Sequence, residues 1–126
     1  NGAAFDHAVI SDGCILNRCQ ISNTLVGVRA LIGEGSRLNR VVYMGNDYYE
    51  SEASIAEHES RGVPRIGIGR NTRIENAIVD KNARIGNNVV ITPEGKPDTV
   101  DHPLYYIRDG IVIIPKNGVV PDNTVI

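Results

Sequence analysis

An aliphatic residue returns at Ile68, Ile74, Val79, Ile85 and Ile91, in steps of 6, 5, 6 and 6. A helix repeats every 3.6 residues and a half-buried strand every two, so neither produces this spacing. A repeat of about six residues is the signature of a parallel β-helix, each repeat forming one side of a triangular coil. The aliphatic side chain points inward and stacks on its equivalents in the neighbouring coils. Gly69, Glu75, Asp80 and Gly86 follow these aliphatic residues directly and are read as corner positions, where glycine reaches backbone angles closed to other residues. The expected fold is all-β, a single-stranded parallel β-helix forming one domain over residues 1–126.

The column extends backwards through Met44, Leu38, Ile32, Val26, Ile21, Leu16 and Ile10, with Phe5 as a cap, and forwards to Ile114, Val120 and Ile126. At three repeats per coil of about 18 residues, this makes about five coils. One face should carry Ile10, Val26, Met44, Val79 and Ile114 in a single inward column. Two insertions interrupt it. Residues 48–65 turn abruptly to Glu, Ser and Ala. There Ser54-x-x-Glu57 has the form of a capping box, and Gly62 and Pro64 close the segment, which is read as a short acidic helix or turn. Residues 92–106 hold three prolines and are read as a loop. The apolar tract Gly110–Ile114 predicts a strand entering the last coil. That coil should present unpaired strand edges and an apolar cross-section, so a partner subunit is expected to cover it.

Composition closes off several function classes. Formal net charge is −2, without the basic excess of a nucleic-acid binder. No apolar run reaches the roughly 18 residues of a membrane span. The two cysteines, Cys14 and Cys19, make neither a disulfide framework nor a zinc set and are read as small apolar wall residues. His7, His58 and His102 are scattered over the cap and the two insertions and are read as surface histidines. Gly67-Ile68-Gly69 begins like a phosphate-binding GxGxxG loop, but Thr72 stands where the third glycine belongs. No catalytic residue and no metal site is assigned. The chain opens on Asn1 without an initiator methionine and is expected to be a segment of a longer protein.

One arrangement follows from the register. Lys81 lies two residues after Val79, and Lys116 two after Ile114. If Val79 and Ile114 head the same face of successive coils, the two lysines occupy equivalent positions about 4.8 Å apart along the stack. A bound phosphate would relieve their repulsion and gain charge-assisted hydrogen bonds. The alternative is that both lysines splay into solvent. Arg70, Arg73 and Arg84 are further basic side chains in these coils.

The strings AVISDGC, VGVRALIGEG, MGNDYYE, IGIGRN, AIVDKNARIGNNV and GIVIIPKNGVVPDNTVI closely resemble the C-terminal domain of the glucose-1-phosphate adenylyltransferase (ADP-glucose pyrophosphorylase) family, in order and spacing over nearly the whole chain. The resemblance implies a left-handed coil, against the usual right-handed crossover. It implies a parent enzyme that makes ADP-glucose and pyrophosphate from ATP and glucose 1-phosphate, with magnesium. ATP and Mg belong to an N-terminal catalytic domain that this chain lacks, so the segment alone should be inactive and carries no cofactor. The resemblance also implies a tetrameric parent of cytoplasmic or, in a plant, plastid location. Finally, it assigns Lys81 and Lys116 to an allosteric anion site for a small phosphorylated effector. Pro115 departs from the plant pattern, which leaves 3-phosphoglycerate, fructose 6-phosphate and fructose 1,6-bisphosphate all open.

Three rival readings compete with this one. A hexapeptide acyltransferase needs a catalytic histidine in its coils, and none is expected in the regular coils here. A purely structural assembly module would bind no phosphate. A nucleotidyltransferase for another sugar nucleotide would share only the coil, and the MGNDYYE and DKNARIG strings oppose it.

Overall fold

A computed structural model describes residues 2–126. Four seven-residue strands, β1 (Ala4–Ile10), β3 (Gln20–Val26), β5 (Arg37–Tyr43) and β7 (Arg73–Val79), stack in parallel, and β12 (Ile111–Ile114) continues the stack. Two-residue strands β2 (Ile15–Leu16), β4 (Leu31–Ile32), β6 (Gly67–Ile68), β8 (Arg84–Ile85) and β13 (Val119–Val120) form a second parallel sheet. A third side is marked by β9 (Val90–Ile91), which pairs with the start of β7.

Each long strand covers two sides of the triangle because it bends in the middle. His7, Asn23, Arg40 and Asn76 take left-handed φ values of 53°, 49°, 57° and 49°. Such a residue breaks the two-residue alternation, so the inward set becomes Ile21, Thr24, Val26, then Leu38, Val41, Tyr43, then Ile74, Ala77, Val79. Register then builds three stacks. Phe5, Ile21, Leu38, Ile74 and Ile91 align in one. Ile10, Val26, Tyr43, Val79 and Ile114 align in the second. Leu16, Ile32, Ile68, Ile85 and Val120 align in the third.

The inward residue of the third coil is therefore Tyr43, which is fully buried, and not Met44, which is 40% exposed. Counting six from Leu38 lands on Met44, but this corner takes five, as it does from Ile21 to Val26 and from Ile74 to Val79. Phe5 opens its column as expected yet stays 53% exposed.

The corner residues are also displaced from expectation. Left-handed φ falls three positions after the aliphatic residue, at Arg29, Gly35, Asn71, Asn82, Asn88, Asn117 and Asn123. Gly33, Gly69 and Gly86 are glycine for a different reason. A Cβ on Gly33 would lie 2.7 Å from the Gly69 carbonyl carbon, and one on Gly69 would lie 2.5 Å from the Gly86 carbonyl oxygen. Successive backbones pass too closely there for any side chain.

Within residues 48–65 the chain forms α1 (Glu52–Ser60), none of whose residues is buried. Its N-cap is Ser51, whose hydroxyl accepts from the Ser54 amide at 3.1 Å; Ser54 lies inside the helix and does not cap it. Gly62, at φ 73°, closes the helix, its amide donating to the Glu59 carbonyl. Residues 92–106 are more than a loop. They carry β10 (Val100–Asp101) and lead into β11 (Tyr106–Arg108), an antiparallel pair laid against the outer edge of β12. Ile107 is fully buried and Tyr105 nearly so, both in the common core. The chain thus blocks one edge of its own last coil, an edge that the sequence reading left to a partner subunit. The strand β13 remains at the edge of the second sheet.

Candidate functional site

Val79 and Ile114 are direct neighbours in the register of β7 and β12. Their columns carry Lys81 and Lys116 to the same corner of successive coils, where the Asn117 amide donates to the Lys81 carbonyl at 3.0 Å. Asn82 and Asn117, each next after a lysine, take φ values of 63° and 61°. That left-handed turn ends one side of the triangle and leaves the preceding lysine on the outside. Lys116 is exposed and Lys81 partly so.

A third charged residue stands at this corner, one that sequence reasoning missed. Asp47, at the mouth of the first insertion, places Oδ1 3.2 Å from Lys81 Nζ. Its backbone amide donates to Asn82 Oδ1 at 2.9 Å, and Asn82 Nδ2 donates back to Asp47 Oδ2 at 3.0 Å. Asn82 is itself buried, so this reciprocal pair fixes the aspartate. The Asn82 hydrogen bond first, and then Lys81, hold the Asp47 carboxyl below its usual range, and the charge of Lys116 adds to this. Among the described residues Lys116 has no carboxylate within ion-pair distance. The corner therefore presents one ammonium paired to Asp47 and one without such a pair, and the Asp80 carboxylate beside Lys81 accepts the Lys81 amide at 2.7 Å. Asp47 lies in the MGNDYYE string, but the first insertion begins beside it, so register could not be carried across to Lys81.

The Arg84 and Arg73 side chains are paired elsewhere. Arg84 Nη1 lies 2.9 Å from Glu50 Oε2, and Arg73 Nε lies 3.3 Å from Glu75 Oε1. Arg70 lies at the next corner, its amide accepted by Asn87 Oδ1 at 2.8 Å. A groove of about 1100 Å³ runs between the α1 segment and the second sheet, past Leu31, Ile55, Val63 and Arg65. It includes neither Lys81 nor Lys116, and both signs of charge line it.

The histidines do not converge. His7 lies in β1, in the first regular coil, 2.7 Å from the Asp6 carboxylate and largely exposed. His102 stacks on Tyr105 with ring centroids 4.5 Å apart. His58 is less of a surface residue than expected, since Nδ1 lies 3.2 Å from the buried Glu50 carboxylate. Cys14 is half-buried and Cys19 buried, both as free thiols; burial pushes the Cys19 thiol up. Among the described residues no group of three His, Cys, Asp or Glu side chains could hold a metal ion. No described helix is long and apolar enough to cross a membrane.

Residues 1–125 match the model of the GLGC left-handed parallel β-helix domain. The chain is 47% identical over 122 residues to glucose-1-phosphate adenylyltransferase large subunit 1, chloroplastic/amyloplastic, of Zea mays. That alignment covers 95% of this chain and 24% of the maize protein, so the chain spans about a quarter of its relative's length. The parallel stacks and these matches agree: the chain belongs to the left-handed parallel β-helix domains of the GLGC, or glucose-1-phosphate adenylyltransferase, family.

Proposed function

We propose that this chain is the regulatory and assembly domain of a glucose-1-phosphate adenylyltransferase, and that Lys81 and Lys116 hold the phosphate of its effector. The observation that carries this reading is the Val79–Ile114 register, which brings the two lysines to one corner of adjacent coils. A phosphate between them replaces ammonium repulsion with charge-assisted hydrogen bonds, each contributing about 1.5–3 kcal/mol at most. Ordering costs consume much of that. The segment alone is therefore expected to bind in the millimolar range, and more tightly when a catalytic domain adds basic groups. That domain would make ADP-glucose and pyrophosphate from ATP and glucose 1-phosphate with magnesium, and no residue here is assigned to that chemistry. The maize relative's name gives a chloroplast or amyloplast location; for this chain the proposal is the plastid in a plant and the cytoplasm otherwise.

The test uses the full-length enzyme. Lys81→Ala and Lys116→Ala should each raise the effector concentration giving half-maximal response, with unactivated turnover nearly unchanged. Responses to 3-phosphoglycerate, fructose 6-phosphate and fructose 1,6-bisphosphate identical to the parent's would put the site elsewhere.

The assembly role rests on a second observation. Val9, Leu25, Val42, Ile78 and Ile113 align in register on the outer face of the long-strand sheet. Val9, Leu25 and Val42 are 66%, 46% and 41% exposed. A continuous apolar row of this kind favours burial against another surface, here a second copy of the chain in a homo-oligomer, a tetramer in the parent, or its own catalytic domain. Leu25→Glu and Val42→Glu together should lower the assembly state of the full-length protein in sedimentation equilibrium. An unchanged assembly would remove this face from the interface.

A further inference from the structure

We infer that Asp47 is a built-in counter-ion for Lys81, from which an incoming anion has to draw the lysine away. The inference rests on the reading of Lys81 and Lys116 as the anion site and adds the residue that sets its strength. Three observations support it. First, the Asp47 carboxylate is already paired with Lys81 Nζ at 3.2 Å, whereas among the described residues Lys116 has no such partner. Second, Asp47 is held. It forms a closed ring of two hydrogen bonds with Asn82, a residue only 7% exposed. Lys81, in contrast, sits on a flexible four-carbon stem. When charge is rearranged at this corner, the lysine moves and the aspartate stays.

Third, Asp47 stands close to where a phosphate held by both lysines would lie, since the charge of Lys116 also acts on its carboxyl. The lysines are one coil apart, and Asp47 lies within ion-pair distance of the first of them. Any anion bridging both ammonium groups shares its neighbourhood with a fixed carboxylate, and like charges at such range repel. Lys81 therefore has two competing states, paired to Asp47 or paired to the anion. The site is tuned to release its ligand easily. It also disfavours a fully ionised phosphate relative to one that retains a proton or places a neighbouring hydroxyl towards Asp47.

Asp47→Asn is the informative variant. It keeps a side-chain oxygen to accept from Asn82 Nδ2, leaves the residue 47 amide donating to Asn82 Oδ1, and removes the charge. Inorganic phosphate and 3-phosphoglycerate would each be titrated calorimetrically into the full-length parent, Asp47→Asn, Lys81→Ala and the double variant. Asp47→Asn should bind both probes about three- to tenfold more tightly, the range expected for one partly exposed charge interaction. The gain should vanish in the Lys81→Ala background, because that background has no pair left to break. If Lys81→Ala and Lys116→Ala weaken binding while Asp47→Asn leaves it unchanged or weakens it, Asp47 does not compete and the inference is overturned. A gain that persists without Lys81 would reduce Asp47 to a general background charge and also overturn it. If neither lysine variant alters binding, the underlying anion site itself is wrong, a result distinct from either of these.

Discussion

Glu50 and Arg84 meet at 2.9 Å, one at the start of the first insertion and the other on β8 of the fourth coil. Their side chains are 2% and 13% exposed. Glu50 also accepts from the Ile66 amide at 3.0 Å and from the Ser54 hydroxyl at 2.7 Å, and Arg84 donates to the Pro64 carbonyl at 3.1 Å. One carboxylate thus ties together the entry, the helix and the exit of the insertion. Glu50→Ala would strand Arg84 without its partner. Removing one member of a buried pair costs about 3–5 kcal/mol, and urea unfolding at neutral pH should register a loss of that size. A change within about 0.5 kcal/mol, as for an ordinary surface site, would mean that the insertion is not anchored here.

The same carboxylate gives the protein an acid-sensitive contribution. Burial alone pushes the Glu50 carboxyl up, but the Ile66 amide, the Ser54 hydroxyl and Arg84 outweigh it and hold it below the usual range. The folded-state value lies under the unfolded one. The stabilisation is therefore complete above the ordinary glutamate value of 4.5 and disappears as pH falls through the lower folded value. Thermal melts of the parent and Glu50→Gln should converge as pH is lowered through this window. Parallel curves would show that Glu50 is not titrating against Arg84.

Two core substitutions test the coil itself. Ile85 is 1% exposed in the third column. Ile85→Asp buries an unpaired charge at a cost of several kcal/mol, so the cooperative unfolding transition should be lost. Gly69→Ala probes the close passage of backbones. Its new Cβ would press on the Gly86 carbonyl as well as on the Asn87 side-chain oxygen, and overpacking typically costs about 1–3 kcal/mol. Equal stability of Gly69→Ala and parent would show that the coils can move apart freely.

Much of this was legible in the sequence because the inward residues of a β-helix repeat at short range. The places of Val26, Ile32, Ile74, Val79, Ile85 and Ile114 followed from spacing alone, and with them the alignment of Lys81 with Lys116. What spacing could not supply was anything that depends on an insertion. Asp47 and Glu50 each meet partners more than thirty positions away, across the α1 segment. The hairpin of β10 and β11 was hidden because its strands have two and three residues, too few for alternation to show. The glycines at Gly33, Gly69 and Gly86 were visible, but their cause was not, since close approach between coils is a property of the stack.

Tyr43 gives the sharpest test of the corner geometry. The five-residue step puts Tyr43 wholly inside and leaves Met44 40% exposed. Removing a large buried ring costs about 3–5 kcal/mol, whereas truncating an exposed methionine is close to neutral. Chemical denaturation should therefore separate Tyr43→Ala from Met44→Ala by several kcal/mol; the reverse order would restore Met44 to the column. The phenol offers an independent reading. Burial, only partly offset by its hydrogen bonds to Asn46 and Leu31, pushes the Tyr43 hydroxyl from 10.0 up to about 12. Its contribution to stability is full below the unfolded value of 10.0 and is lost as pH rises towards about 12. Tyr43→Phe should remove that alkaline decline. It should also remove the last-ionising phenol from a spectrophotometric titration, leaving the remaining four of the five tyrosines. A titration in which Tyr43→Phe deletes an early-ionising phenol would place this ring in solvent and shift the third coil by one residue.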